Sequence, residues 1–227
     1  MKKTLLIAAA ALAAGVISTQ AQVYSQNVVG YVNTPLPAGF TPIVNPLQNS
    51  DNTQTNSATV VMPNIPDLSY VYNWNGNSYV TYIVFQGAYY DVNQNPVPTP
   101  NFNVGNGLFI NASQPFTNTF VGTVLTVNGG APGTTVTNTV NMVQGYNFVN
   151  SQIPIAGGIS TKLQLNCPDL SYVYTWNGSS WNTAIVFGGA FYDVNQNPIP
   201  EPQVNVGSAF FVNASSAFQW SLVYTNN

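Results

Sequence analysis

The sequence predicts an all-β protein: two tandem, duplicated antiparallel β-sandwich or barrel-like units behind a signal peptide. Three features lead there. Residues 66–116 recur at 168–218 without a gap, with 34 of 51 positions identical, so one folding unit has been copied. Beyond the N-terminal segment there is no helical periodicity. Short runs rich in Val, Ile, Phe, Tyr and Thr stand there instead, bounded by Asn, Gly and Pro, with 18 glycines and 16 prolines as punctuation. Runs of this kind with frequent turns point to sheets packed on sheets.

At the N-terminus, Met1, Lys2 and Lys3 precede the apolar run LLIAAAALAAGVIS, and Thr19-Gln20-Ala21 puts small residues at both cleavage positions. Residues 1–21 are therefore expected to be a cleaved signal peptide. The apolar run over residues 5–17 is too short to cross ~30 Å of hydrocarbon, and no membrane span is expected in the mature chain. The expected destination is secretion or the cell surface.

Cleavage leaves Lys162 alone against Asp51, Asp67, Asp91, Asp169, Asp193 and Glu201, a net charge near −5. One cation cannot neutralise a row of phosphates, which excludes nucleic acid as an ordinary partner. Charged residues make up 4% of the chain, against roughly 25% in an average globular protein, so solubility must come from amides and hydroxyls. Cys167 is the only cysteine and aligns with Ile65 of the first copy. It fits a small buried apolar position or an intermolecular bridge.

The expected units are residues 22–119 and 120–227. Upstream of the gapless block, Gly39-Phe40 and Val44-Asn45 resemble Gly145-Tyr146 and Val149-Asn150 at an offset of 105 to 106, and VGYV at 29–32 resembles VGTV at 121–124 at an offset of 92. The difference implies an inserted hairpin over about residues 126–139, containing Thr126 to Gly133. Residues 120–124 match the C-terminal strand as well, so two arrangements are open. One strand could close the first unit and open the second, allowing head-to-tail strand pairing between chains; or the strands at both ends pair within their own units.

Trp74-Asn75-Gly76-Asn77 and its copy Trp176-Asn177-Gly178-Ser179 predict hairpins, because Asn-Gly suits a two-residue type I′ turn. That turn would set Trp74 opposite Asn77, Tyr72 opposite Tyr79 and Tyr70 opposite Thr81. One face then carries Tyr70, Tyr72, Trp74 and Tyr79, and in the copy Tyr172, Tyr174, Trp176 and Trp181. With Ser69, Asn73 and Ser78 on the other side, the aromatic face is expected to point inward. The competing use is a sugar-stacking platform, which makes Trp74, Trp176, Tyr72, Tyr174, Tyr79 and Trp181 the candidate ligand-binding residues.

No catalytic residue is expected. The chain has no histidine, which removes Ser-His-Asp triads, Cys-His pairs and imidazole metal ligands. No glycine-rich phosphate loop is present, no cofactor is implied, and among the six acids Asp67/Asp169 and Asp91/Asp193 are copies of each other instead of neighbouring pairs. Asp91, Asn93 and Asn95, repeated as Asp193, Asn195 and Asn197, begin like a calcium loop. Pro96 and Pro198 stand where such a loop needs glycine, and Phe102 and Val204 where it needs glutamate. An Asx-type turn accounts for the same residues.

The GYVN…NPL opening, the YVYxWNG hairpin and the VGxxFFVNAS strand together resemble the uncharacterised exported β-repeat proteins of bacteria. Asn103 to Phe109 and Asn205 to Phe211 are also loosely similar to a PGxGYWV-like surface-protein strand, without its proline and tryptophan. The resemblance implies an extracellular all-β module and carries no active site. The functional expectation is a non-enzymatic structural or surface protein that self-assembles through strand edges into a fibre or matrix. The alternative is a carbohydrate-binding or adhesive module that engages polysaccharide through its duplicated aromatic hairpins.

Overall fold

A computed structural model describes residues 29–49, 56–125 and 133–225. Among them the first half contains β1 (Val29–Leu36), β2 (Gly39–Val44), a one-turn helix α1 (Ala58–Val61), β3 (Tyr70–Trp74), β4 (Tyr79–Phe85), β5 (Ala88–Tyr90), β6 (Pro96–Val97), β7 (Gly107–Ala112) and β8 (Phe116–Thr123). The second half contains β9 (Thr135–Met142), β10 (Gly145–Val149), β11 (Gly157–Gly158), β12 (Tyr172–Trp176), β13 (Trp181–Phe187), β14 (Ala190–Tyr192), β15 (Pro198–Ile199), β16 (Gln203–Val204), β17 (Phe210–Ala214) and β18 (Phe218–Thr225). The protein is all-β, and its two halves repeat one topology. A six-stranded antiparallel sheet runs β2-β7-β3-β4-β5-β6 in the first unit and β10-β17-β12-β13-β14-β15 in the second, each accompanied by a two-stranded ribbon, β1-β8 or β9-β18.

Each core lies between sheet and ribbon. In the first unit Val71, Val84, Leu108, Ile110 and Ala112 of the sheet share a buried cluster with Leu36 and Phe120 of the ribbon, closed by Ala58, Val61 and Met62 around α1. In the second, Val173, Val186, Phe210 and Val212 meet Met142 and Trp220. Trp220 stays buried because its indole N–H donates to the Leu163 carbonyl at 2.7 Å.

The ribbons correct the expected boundary. All eight residues of β8 pair with β1, from Val29↔Thr123 to Leu36↔Phe116, so the division at 119/120 falls inside a strand of the first unit. The part of β1 is played in the second unit by β9, paired with β18 from Thr135↔Thr225 to Met142↔Phe218. Residues 135–142, expected as the second half of an inserted hairpin, are thus that unit's opening strand; residues 126–132 lie outside the described set. The match at offset 92 misled because Val-Gly-x-Val is a short pattern. The strands at both ends of the described chain pair within their own units, so no strand is shared.

Hairpin register also differs from expectation. Trp74 faces Tyr79, Tyr72 faces Thr81 and Tyr70 faces Ile83, and the second unit repeats this with Trp176 opposite Trp181. The connection is a four-residue loop in which Asn75 Oδ1 accepts from the amides of Asn77 at 3.0 Å and Ser78 at 2.9 Å. The asparagine therefore caps the turn from its first position. A shift of two residues preserves the faces, since side chains alternate with period two.

What changes is the face that is buried. The aromatic face points away from its unit's core, and the opposite face points in. That opposite face carries Val71 at 0% and Val84 at 2% exposure, beside a serine whose polarity is satisfied. Ser69 is fully buried, its Oγ accepting from the Ser113 amide at 3.1 Å while Ser113 Oγ donates to the Asp67 carbonyl at 2.7 Å. Ser171, Ser215 and Asp169 repeat the arrangement. A hydrogen-bonded small hydroxyl costs little to bury, so the serines were no sign of a wet face.

Candidate binding surfaces

The outward aromatic face is the chemically distinctive surface of each sheet. Toward the hairpin tips the two faces meet each other. Trp74 packs edge-on against Phe211 at 5.7 Å, Phe109 against Trp181 at 5.7 Å, and Phe148 stacks on Phe211. Val44, Phe148 and Ala209 form the buried centre of this contact, with Trp74, Phe109, Trp181 and Phe211 around it.

Backbone bonds flank the rings in a reciprocal pattern. Val44 N–H donates to Gly207 O at 2.9 Å, and Asn150 N–H donates to Gly105 O at 2.9 Å. Isolated bridges join Ile43 to Ser208 and Val149 to Asn106. Strand β10 aligns with β2 at an offset of 106 and β17 with β7 at 102, so each of these contacts maps onto the other when the units are exchanged. The units therefore meet through the same patch on both, the isologous geometry of a two-fold dimer.

Of the predicted ligand residues, Trp74, Trp176 and Trp181 are half-buried within or beside this contact, with Trp176 edge-on to Phe109 and Trp181. Tyr72 and Tyr174 are half-buried and Tyr79 is exposed at 38%. The structure brings Trp74, Tyr79, Tyr174 and Trp181 together with Tyr146 and Phe211 in one groove of about 340 Å³ between the units. Tyr72 and Trp176 are not part of its lining. The indole N–H of Trp74 is buried without a hydrogen-bond partner. Burial pushes the Tyr79 hydroxyl up to about 12, and burial followed by the neighbouring Tyr146 hydroxyl does the same for Tyr174.

Away from the tips the same face stays open. Tyr70 stacks on Tyr72 at 6.4 Å, and Phe40 leans on Tyr72 at 5.7 Å; Tyr172, Tyr174 and Tyr146 repeat the ladder. Beyond it lies a groove of about 470 Å³ lined by Leu68, Tyr70, Ile83, Phe85, Tyr90 and Gln94. Residue-by-residue reading of the sequence missed Leu68 and Phe85, because an isolated apolar residue beside a turn carries no periodic signal.

The Asp91 and Asp193 loops are turns. Asp91 Oδ1 accepts from the amides of Asn93 and Asn95, both at 2.8 Å, and its Oδ2 from the Asn95 side-chain amide at 3.1 Å. Asp193 does the same with Asn195 and Asn197. Carboxylate oxygens that accept these N–H groups build the Asx-type turn that the sequence offered beside the calcium loop. The donors also hold both carboxyls below their usual range, led by the Asn95 amide for Asp91 and the Asn197 side chain for Asp193. No cluster of three or more His, Cys, Asp or Glu exists among the described residues.

Cys167 packs half-buried against the second core, and burial pushes its thiol up to about 12. Such a thiol is a poor nucleophile. No described helix is long and apolar enough to cross a membrane. The chain matches no protein-family model, no curated protein and no solved structure.

Proposed function

We propose that the chain is an exported, non-enzymatic structural protein whose copies add to one another through strand edges. The observation that carries this is one unpaired edge on each ribbon. The far edge of β8 is met by Gln48, which exchanges two backbone bonds with Thr123, and that of β18 by the Gln164 side chain, which bonds Val223 N–H at 3.0 Å and its carbonyl at 2.8 Å. The outer edges of β1 and β9 pair with no other strand among the described residues. Natural sheets protect such edges with charge or proline. Strand β9, TVTNTVNM, has neither. Its exposed side chains are Thr135, Thr137, Thr139 and Asn141, which suit amide and hydroxyl ladders between subunits. An N-terminal unit meeting the C-terminal unit of the next chain through these edges would extend without closing.

Electron microscopy of the secreted protein tests this. Fibres are expected from the native chain and far fewer from Tyr31→Lys/Thr137→Lys/Thr139→Lys, which places charge on both edge strands. Single particles from the native chain at every concentration would sink the proposal.

A polysaccharide partner is the second reading, favoured by a groove walled by six aromatic rings. Rings of this kind stack on sugar faces. A pull-down on insoluble polysaccharides comparing the native chain with Tyr146→Ala/Tyr174→Ala tests it. Retention unchanged by the substitutions counts against it.

A further inference from the structure

We infer that each chain carries two equivalent grooves, one per unit, that dock face to face on the same groove of a second copy. The inference rests on the self-associating reading above but uses a different surface. The first groove is lined by Leu68, Tyr70, Ile83, Phe85, Tyr90 and Gln94, and all six recur unchanged 102 residues later, from Leu170 to Gln196. Elsewhere on this face Tyr72, Trp74 and Phe109 recur as well, while Tyr79 is replaced by Trp181 and Gly107 by Ala209.

Leu68 is the telling residue. It sits at φ +62 and Leu170 at φ +64, each the third residue of a turn closed by the Ser69 or Ser171 amide on the Pro66 or Pro168 carbonyl. Turn chemistry with positive φ favours Gly or Asn at that place, and a bulky residue there is strained. Yet both leucines are 63% exposed, so neither core packing nor backbone preference accounts for them. Phe85 and Phe187, at 42% and 56% exposure, stand beside them.

The occupant follows from continuity with an interface the chain already makes. Ring contacts run from the groove to the unit–unit contact without a break, from Tyr70 to Tyr72, Tyr79, Trp74 and then Phe211 across the interface. At its far end this face is packed on a copy of itself about an approximate two-fold. The near end offers the same apolar chemistry, and the six lining residues are uncharged, with the Asp67 and Asp91 carboxylates flanking them in the chain. Two self-complementary grooves per chain give a valence of two, which builds open chains of molecules instead of closed dimers.

The test separates grooves from edges by adding groove substitutions to the Tyr31→Lys/Thr137→Lys/Thr139→Lys chain and measuring association by sedimentation over a concentration series. The edge-substituted chain should still associate. Leu68→Asn/Leu170→Asn should raise its dissociation constant at least about tenfold, the loss expected for uncovering buried leucine. Leu68→Asn alone should stop growth at dimers. Asn tolerates positive φ, so melting temperature should hold or rise. Phe85→Ser/Phe187→Ser, at exposed strand positions, provides a second variant should the turn not tolerate Asn. A strictly monomeric edge-substituted chain, or association indifferent to both groove variants, overturns the inference and leaves the edge proposal standing. Fibres of native abundance from the edge-substituted chain overturn the edge proposal and leave the grooves.

Discussion

Phe148 and Phe211 lie ring on ring, centroids 4.1 Å apart and planes 12° from parallel. Phe148 is only 3% exposed, and Pro42 holds the equivalent place in the first unit. The two-fold contact between the units is therefore filled asymmetrically. One large ring occupies the centre, and Gly107 makes room for it: a Cβ on Gly107 would lie 2.6 Å from Phe148 Cγ. Ala209, the copy of Gly107, lies instead by Pro42, to whose carbonyl its amide donates at 3.2 Å.

Removing the ring should be costly. Phe148→Ala deletes a buried aromatic from a contact with no obvious way to collapse, and a loss of about 3 to 5 kcal/mol is expected. Gly107→Ala overpacks the same place and should cost about 1 to 3 kcal/mol. Together the two effects should come to less than their sum, because Phe148→Ala removes the two ring atoms the new methyl would strike and leaves only the Phe148 carbonyl carbon at 2.9 Å. Urea unfolding of both single variants and the double variant, followed by tryptophan fluorescence, measures the coupling; strict additivity would contradict the geometry.

Stability should fall at both ends of the pH scale, for opposite reasons. Burial raises the Tyr79 and Tyr174 hydroxyls to about 12 from an ordinary value of 10. The folded state thus holds protons that the unfolded chain releases, and the stabilisation is complete below pH 10 and lost as pH climbs from 10 toward 12. Asp91 and Asp193 are lowered by their loop amides. Here the unfolded chain binds protons first, so their contribution is present above the ordinary aspartate value and disappears as pH drops through the lower folded one. Asp91→Asn/Asp193→Asn should flatten the acid limb and leave the alkaline limb untouched. Melting temperature measured across pH, with tyrosinate absorbance alongside, separates the two.

The duplication made the fold class legible, because a constant offset and β-rich runs between Gly, Pro and Asn leave few architectures. It also located the aromatic face, whose membership depends only on strand alternation. The direction of that face was not legible. Val71 and Val84 are two small aliphatics set among serines and asparagines, and the hydrogen bonds that let Ser69 accompany them inward come from Ser113, 44 residues away. The interface between units was hidden for a similar reason. Its central ring, Phe148, lies in the stretch where the copies differ by an extra residue, so aligned sequence places nothing like it in the first unit. Leu68 was invisible because only its positive φ makes an exposed leucine anomalous.

The hairpin loops give the last prediction. Asn75 Oδ1 accepts two backbone amides, and its side-chain nitrogen reaches Ser78 Oγ at 3.3 Å; Asn177 repeats this with the amides of Ser179 and Ser180. Alanine at either place leaves those amides to water, and because the loops are exposed the loss should be near the lower end for hydrogen bonds, about 1 kcal/mol per loop. The loops share no bond, so the double variant should show the sum. Gly76→Ala tests the backbone instead: at φ +99 with nothing within 4 Å of the added Cβ, its cost comes from conformation alone and should be about 1 to 2 kcal/mol. Thermal denaturation of these variants distinguishes the four-residue capped loop from a two-residue turn. Asparagine in a two-residue turn serves mainly to adopt positive φ, so in that geometry Asn75→Gly would be nearly neutral. In the loop observed here, Asn75→Gly should cost as much as Asn75→Ala.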